Sequence, residues 1–83
     1  MAGIIGLTGF KIYHREFTSK LYSISINANS VGTVVGVYVY NDANGNKYIQ
    51  PLLSNSDENG KFVVANEAGF NIGSHLFIMY AVY

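Results

Sequence analysis

Two histidines, His14 and His75, are the side chains of this 83-residue sequence best suited to proton transfer or metal binding. A nucleophilic site would pair a histidine with a cysteine or with a serine in a nucleophile elbow. The sequence has no cysteine, and none of its serines stands in a nucleophile elbow. A metal site needs three or four donors, which is more than two histidines supply. We therefore predict that both histidines are packed and hydrogen-bonded, and that the protein is not an enzyme.

Asp42, Asn44 and Asn46 stand at alternate positions, as at the start of a calcium-binding loop. The EF-hand pattern requires glycine where this chain has Lys47 and glutamate where it has Leu53, so that motif is absent. Aspartate and asparagine are also typical of tight turns, because their side chains hydrogen-bond the backbone two residues on. The segment therefore predicts a hairpin turn, with no metal and no cofactor.

The other candidate groups are carboxylates and aromatic rings. Asp57 and Glu58 are adjacent in a polar segment, where neighbouring side chains diverge, so we predict a solvated turn. Seven tyrosines and five phenylalanines could stack on sugars or bases, but aromatic residues also favour strands and interfaces. Five basic residues balance five acidic ones, which argues against the basic face that nucleic acid requires. No apolar run approaches the roughly 18 residues of a membrane span, so neither nucleic acid nor membrane is an expected partner.

Two segments are apolar on both faces of a predicted strand. In Thr33–Tyr40 and in His75–Tyr83, both sets of alternate side chains are largely apolar. A strand with one face in water should alternate apolar and polar residues. The pattern therefore predicts that the second face of these strands is covered.

The N-terminal part predicts an arm followed by a hairpin. Residues 1–9 have glycine at every third position, which indicates an extended arm along a neighbour or an edge strand of the same domain. Phe10–Phe17 and Leu21–Ala28 alternate apolar and polar residues, and we predict that they pair with each other.

The later segments complete a series of short strands. Lys47–Leu53 is a predicted strand in which Pro51 marks an edge or a bulge, because proline cannot donate to the ladder. Lys61–Ala65 is a short strand, and Asn66–Gly73 is irregular. Six or seven strands without helical periodicity predict an all-β, two-sheet antiparallel sandwich, formed as a single domain by residues 10–83.

This pattern separates a predicted core from a predicted interface. The predicted core residues are Val37, Val39, Phe62, Val64 and Phe77. The predicted interface consists of the opposite strand faces and the arm: Ile4, Ile5, Leu7, Tyr38, Tyr40, Leu76, Ile78, Tyr80 and Val82.

Residues 32–83 resemble the carboxypeptidase regulatory-like and Cna B-type domains. The residues that carry the resemblance are Gly36-Val37-Tyr38-Val39, the Asn-Gly pair at 44–45, Asp57-Glu58-Asn59-Gly60-Lys61-Phe62 and Gly73-Ser74-His75. The resemblance implies an immunoglobulin-like (prealbumin-like) sandwich in which Phe62 is a core aromatic. It also implies a spacer or interaction module, and it transfers no enzyme activity.

Composition indicates how the protein is used. Only 12% of residues are charged, against about 25% in typical domains, while 49% are hydrophobic. We therefore expect a surface that is covered by other protein chains in a homo- or hetero-assembly.

In type, the chain is similar to auxiliary (decoration) capsid proteins of tailed bacteriophages, which implies a virion component made in the host cytoplasm, with a major capsid protein as a partner. The alternative is a carbohydrate- or surface-binding module of a larger secreted bacterial protein, located outside the cell or on its surface.

Overall fold

A computed structural model describes residues 10–83, and this part of the chain forms six β-strands and no helix. The all-β prediction is confirmed. No helix of the length and apolarity that a membrane crossing requires occurs within the described range. In chain order the strands are β1 (Lys11–Glu16), β2 (Leu21–Asn27), β3 (Thr33–Asn41), β4 (Lys47–Asn55), β5 (Lys61–Phe70) and β6 (His75–Val82).

The strands form a four-stranded sheet and a two-stranded sheet, both antiparallel. The order of the larger sheet is β1-β6-β3-β4, and the smaller sheet pairs β2 with β5. Both strands that are apolar on two faces, β3 and β6, lie in the middle of the larger sheet. Pro51 lies on β4 at the edge, as predicted.

The predicted hairpin between the first two strands is wrong. β1 pairs with β6, whereas β2 pairs with β5 in the other sheet. The connection changes sheet because Phe17 is buried between the sheets, where its ring stacks on Phe70 at 4.7 Å. The Phe17 amide also donates to the Ser74 carbonyl, and the Phe17 carbonyl accepts from the Gly73 amide. These bonds fix the end of β1 against the link that precedes β6.

The prediction that β5 ends at Ala65 is also wrong. The strand continues to Phe70, with a shift in its pairing: Ser23 lies opposite Ala65, and Leu21 lies opposite Phe70. Residues 66–69 therefore bulge out of the ladder. Gly69 has a φ of 87°, a left-handed conformation that glycine adopts without strain.

The core lies between the two sheets and confirms only part of the predicted set. Phe62 and Val64 are buried as predicted, but Val37 and Val39 are only half-buried and Phe77 is exposed, so these three are not core residues. The faces of β3 and β6 that carry them point away from the smaller sheet. The side chains that fill the core are Phe17, Ile24, Ile26, Ala28, Val34, Tyr40, Leu52, Phe62, Val64, Phe70, Leu76, Ile78 and Tyr80.

A tight turn before β5 depends on Asp57. Its carboxylate accepts hydrogen bonds from the backbone amides of Asn59 at 2.8 Å and Lys61 at 3.0 Å. Gly60 completes the turn with a φ of 75°. The backbone bonds from Lys61 and then Asn59 hold the pKa of the Asp57 carboxyl below its usual value.

We expect Asp57→Ala to lower the melting temperature at neutral pH, because two amide donors lose their acceptor. A carboxyl whose pKa is depressed by folding stabilises the native state above its unfolded pKa and loses that contribution as the pH falls through the folded pKa. The difference between wild type and variant should therefore shrink below about pH 4. Thermal melts from neutral to acidic pH test this, with Glu58→Ala as the matched control. A difference that is constant with pH would contradict the role assigned to the carboxylate.

Candidate functional site

The side of the four-stranded sheet that points away from the core is apolar. We call it the outer face. Because residues paired across adjacent strands point to the same side of a sheet, the pairing defines its members. They are Ile12, His14 and Glu16 on β1, His75, Phe77, Met79 and Ala81 on β6, Val35, Val37, Val39 and Asn41 on β3, and Lys47, Ile49, Pro51 and Leu53 on β4.

Large apolar side chains on the outer face are exposed to an unusual degree. The exposed fractions are 78% for Ile12, 70% for Ile49 and 76% for Leu53. Beyond its polar end, the outer face runs over residues 77–81 of β6, 35–39 of β3, 49–53 of β4 and 12–14 of β1. With strands about 4.8 Å apart and about 3.4 Å per residue, its footprint is about 400 Å² with side-chain width included. The largest apolar patch of a monomeric protein is often functional, so we take the outer face as the candidate interaction site.

One end of the outer face is polar. Glu16, His75, Asn41 and Lys47 lie opposite one another across the four strands and form a single row, the polar row. Among the described residues of the outer face, Glu16 and Lys47 are the only acidic and basic ones besides the histidines, and they occupy opposite corners.

The two histidines meet at the polar row, since His75 belongs to that row and His14 lies next to it on β1. His14 Nε2 lies 3.0 Å from His75 Nδ1, and the two rings are nearly parallel. His14 also stacks on Phe77 with a centroid separation of 4.5 Å. The two imidazoles are within hydrogen-bonding distance of each other, but His14 is exposed and His75 is half-buried, so the predicted packing holds only in part. Nothing in the sequence predicts that the two histidines contact each other.

The predicted interface is wrong for its main residues. Tyr40, Leu76, Ile78 and Tyr80 are buried between the sheets, and burial raises the pKa of the Tyr80 phenol. The remaining described members, Tyr38 and Val82, are half-buried against the same core. An exposed apolar face does exist on β3 and β6, but it is the opposite one. The arm of residues 1–9, with Ile4, Ile5 and Leu7, lies outside the described residues.

The second candidate site is a groove, which we call the tyrosine groove, with a volume of about 600 Å³. It lies where the two-stranded sheet leaves the inner side of β4 uncovered, and the β5 bulge at residues 66–69 forms its opposite wall. The residues that line it are Tyr38, Tyr40, Asp42, Tyr48, Gln50, Ala65, Asn66, Glu67, Ala68, Gly69 and Asn71.

Hydrogen bonds fix the floor of the groove. Tyr38 Oη donates to Gln50 Oε1 at 2.8 Å, and Tyr40 Oη accepts from the Asn71 amide at 3.0 Å. Tyr48 stacks on Tyr40 with centroids 6.1 Å apart and stays half exposed. An exposed aromatic ring beside amide and carboxylate groups can bind a polar ligand that has an apolar face, such as a sugar.

The turn at Asp42 uses its own carboxylate. Asp42 Oδ1 accepts from the amides of Asn44 and Asn46, and Oδ2 accepts from Asn46 Nδ2 at 3.1 Å. This confirms the predicted hairpin turn. Within residues 10–83 no group of three or more histidine or acidic side chains comes together in a way that could hold a metal ion. The absence of any metal or cofactor requirement stays a prediction.

Comparisons with protein-family models, with curated proteins and with solved structures find no match to this chain. The resemblance of residues 32–83 to carboxypeptidase regulatory-like and Cna B-type domains stays a prediction, as does the similarity in type to decoration proteins.

Proposed function

We propose that this protein is a non-enzymatic structural protein that works inside a multi-chain assembly, with its outer face packed against a neighbouring chain. The observation that carries the proposal is the exposure of Ile12, Ile49 and Leu53 together on one side of the four-stranded sheet. Left in water, this face would keep several large side chains hydrated, and their burial contributes roughly 25 cal/mol per Å².

Part of that gain is lost to the entropy of association, so a few central side chains should dominate the affinity. Phe77 and Met79 both lie on β6, one of the two middle strands of the larger sheet, and both are partly exposed. We assign them the central role in binding, with Ile12 and Leu53 at the margins.

Within this proposal, the more specific function is that of an auxiliary (decoration) capsid protein of a tailed bacteriophage, located in the virion and bound to other capsid chains. Its supports are the small sandwich, the low fraction of charged residues and the exposed apolar side chains on one side of the larger sheet.

Binding of an apolar fluorescent dye and sedimentation velocity together test the proposal. Wild type at low concentration is expected to bind the dye, and raising the concentration or adding a capsid partner should displace it. Met79→Lys should lose most of the dye binding and the association while staying folded, because Met79 is exposed at the centre of the outer face. Val63→Lys is the matched control, because Val63 is an exposed valine on the smaller sheet, and it should behave as wild type. A wild type that stays monomeric and binds no dye would contradict the proposal.

The tyrosine groove favours one second candidate, a carbohydrate- or surface-binding module of a larger secreted protein. The exposed ring of Tyr48 is the expected stacking platform, and Gln50 and Glu67 are placed to bind hydroxyl groups.

A glycan array followed by titration of the best ligand tests this candidate. Tyr48→Ala should weaken binding by about tenfold or more, since aromatic platforms dominate such contacts. Tyr83→Ala, at an exposed tyrosine that is not among the residues lining the groove, is the control and should bind as wild type. No binding to any glycan, or equal loss in both variants, would exclude the carbohydrate function.

A further inference from the structure

We infer that the chain covering the outer face is a second copy of this protein, stacked face to face about a two-fold axis that runs parallel to the strands. The inference rests on the proposed function, because it names the partner of the same surface. It follows from where the charges and the large side chains lie on the four-stranded sheet.

The charges select the orientation of the axis. Glu16 is at the β1 corner of the polar row, and Lys47 is at the β4 corner of the same row. A two-fold axis parallel to the strands exchanges the left and right edges of the sheet but keeps each row over the same row. Glu16 of each copy therefore lies opposite Lys47 of the second copy, which forms two ion pairs. Such pairs fix orientation more than they add affinity.

The alternative axis, in the plane of the interface and perpendicular to the strands, is unfavourable. It would place the polar row of one copy over the apolar end of the other, near Val35 and Leu53. Glu16 and Lys47 would then lose water without gaining a partner, which costs free energy.

Under the favoured axis, the apolar side chains of one copy and those facing them in the second copy are complementary in size. The large side chains of β6, Phe77 and Met79, lie opposite the smaller Val39 and Val37 of β3 in the second copy. Because the relation is symmetric, the same contacts form twice. Large residues facing small ones allow two sheets to interdigitate at the usual separation of about 10 Å.

The size of the outer face sets the expected affinity. Its footprint is smaller than the roughly 800 Å² per partner of a standard protein interface. We therefore expect a reversible dimer with a dissociation constant in about the micromolar range, rather than a permanent one.

Charge reversal tests the arrangement. Glu16→Lys alone and Lys47→Glu alone each convert two attractive pairs into two repulsive ones, and each should raise the dimer dissociation constant by about tenfold or more. The double variant E16K/K47E should dimerise as wild type. An equimolar mixture of the two single variants should also dimerise at wild-type affinity, since every lysine then faces a glutamate. Both residues are exposed, so circular dichroism should be unchanged in all variants.

Three results would overturn the inference. A wild type that binds the apolar dye but stays monomeric at high concentration would leave the outer face to a different chain, while the proposed function would survive. A dimer that is indifferent to both charge reversals would have another orientation. A monomer that binds no dye would contradict both the inference and the proposed function. Coverage of the outer face by residues 1–9 of the same chain would give that result.

Discussion

Replacing Tyr80 with aspartate is expected to unfold the domain. Tyr80 is buried between the sheets, where its ring meets Phe62 edge to face at 5.1 Å. An unpaired carboxylate at that position would cost several kcal/mol. A chain of this length has a total stability of about 4–12 kcal/mol, so little or no native population should remain. Circular dichroism and thermal melting measure the effect.

The matched control is Met79→Asp, one residue earlier on the same strand. Met79 points to the outer face and is exposed, so the variant should fold and melt cooperatively. It should associate less than wild type, because a charge then lies in the centre of the apolar face. A folded Tyr80→Asp together with an unfolded Met79→Asp would mean that the core and outer faces of β6 have been assigned the wrong way round.

Phe62→Ala is expected to have the second largest effect, a loss of about 3–5 kcal/mol in the free energy of unfolding. Phe62 is 1% exposed, so its removal leaves a cavity between the sheets. Phe77→Ala removes the same side chain from a site that is 38% exposed, and it should cost much less. Urea unfolding of the two variants makes the comparison.

Similar losses for both phenylalanines would contradict this difference. They would mean that Phe77 is as fully packed in solution as Phe62, and that the outer face is covered within a single chain.

The fold class could be predicted from sequence because β2 has one apolar and one polar face, and because Phe62 and Val64 alternate on β5. Ile24 and Ile26 on β2 alternate with serine and asparagine, so only one side of that strand can face the core. All four side chains are buried in the structure. Periodicity was sufficient where one face of the strand is in water.

Periodicity could not decide which face of β3 and β6 is inside. Val37 and Phe77 alternate with Tyr38 and Ile78, and all four are apolar, so either set could have formed the core. The choice depends on which side the two-stranded sheet covers, and this is a long-range contact. The same limit explains why the predicted interface residues were taken from the core-facing side of these strands, whereas the exposed apolar side chains lie on the opposite side.

Other features of the candidate sites also depend on contacts between distant residues. His14 and His75 are 61 positions apart in the sequence, and only the pairing of β1 with β6 brings them together. The tyrosine groove depends on the bulge at residues 66–69, where the sequence predicted an irregular segment. One sequence feature does indicate the outer face. Ile49, Pro51 and Leu53 stand at alternate positions, so they share one side of β4, an edge strand.

The packing of the outer face against a second chain is tested most directly by sedimentation equilibrium of wild type beside Met79→Asp. Wild type is expected to exceed its monomer mass of 9.1 kDa and to approach twice that value as the concentration rises. Met79→Asp should remain at the monomer mass over the same range, with an unchanged circular dichroism spectrum. A wild type that stays at the monomer mass throughout, indistinguishable from Met79→Asp, would contradict self-association through this face.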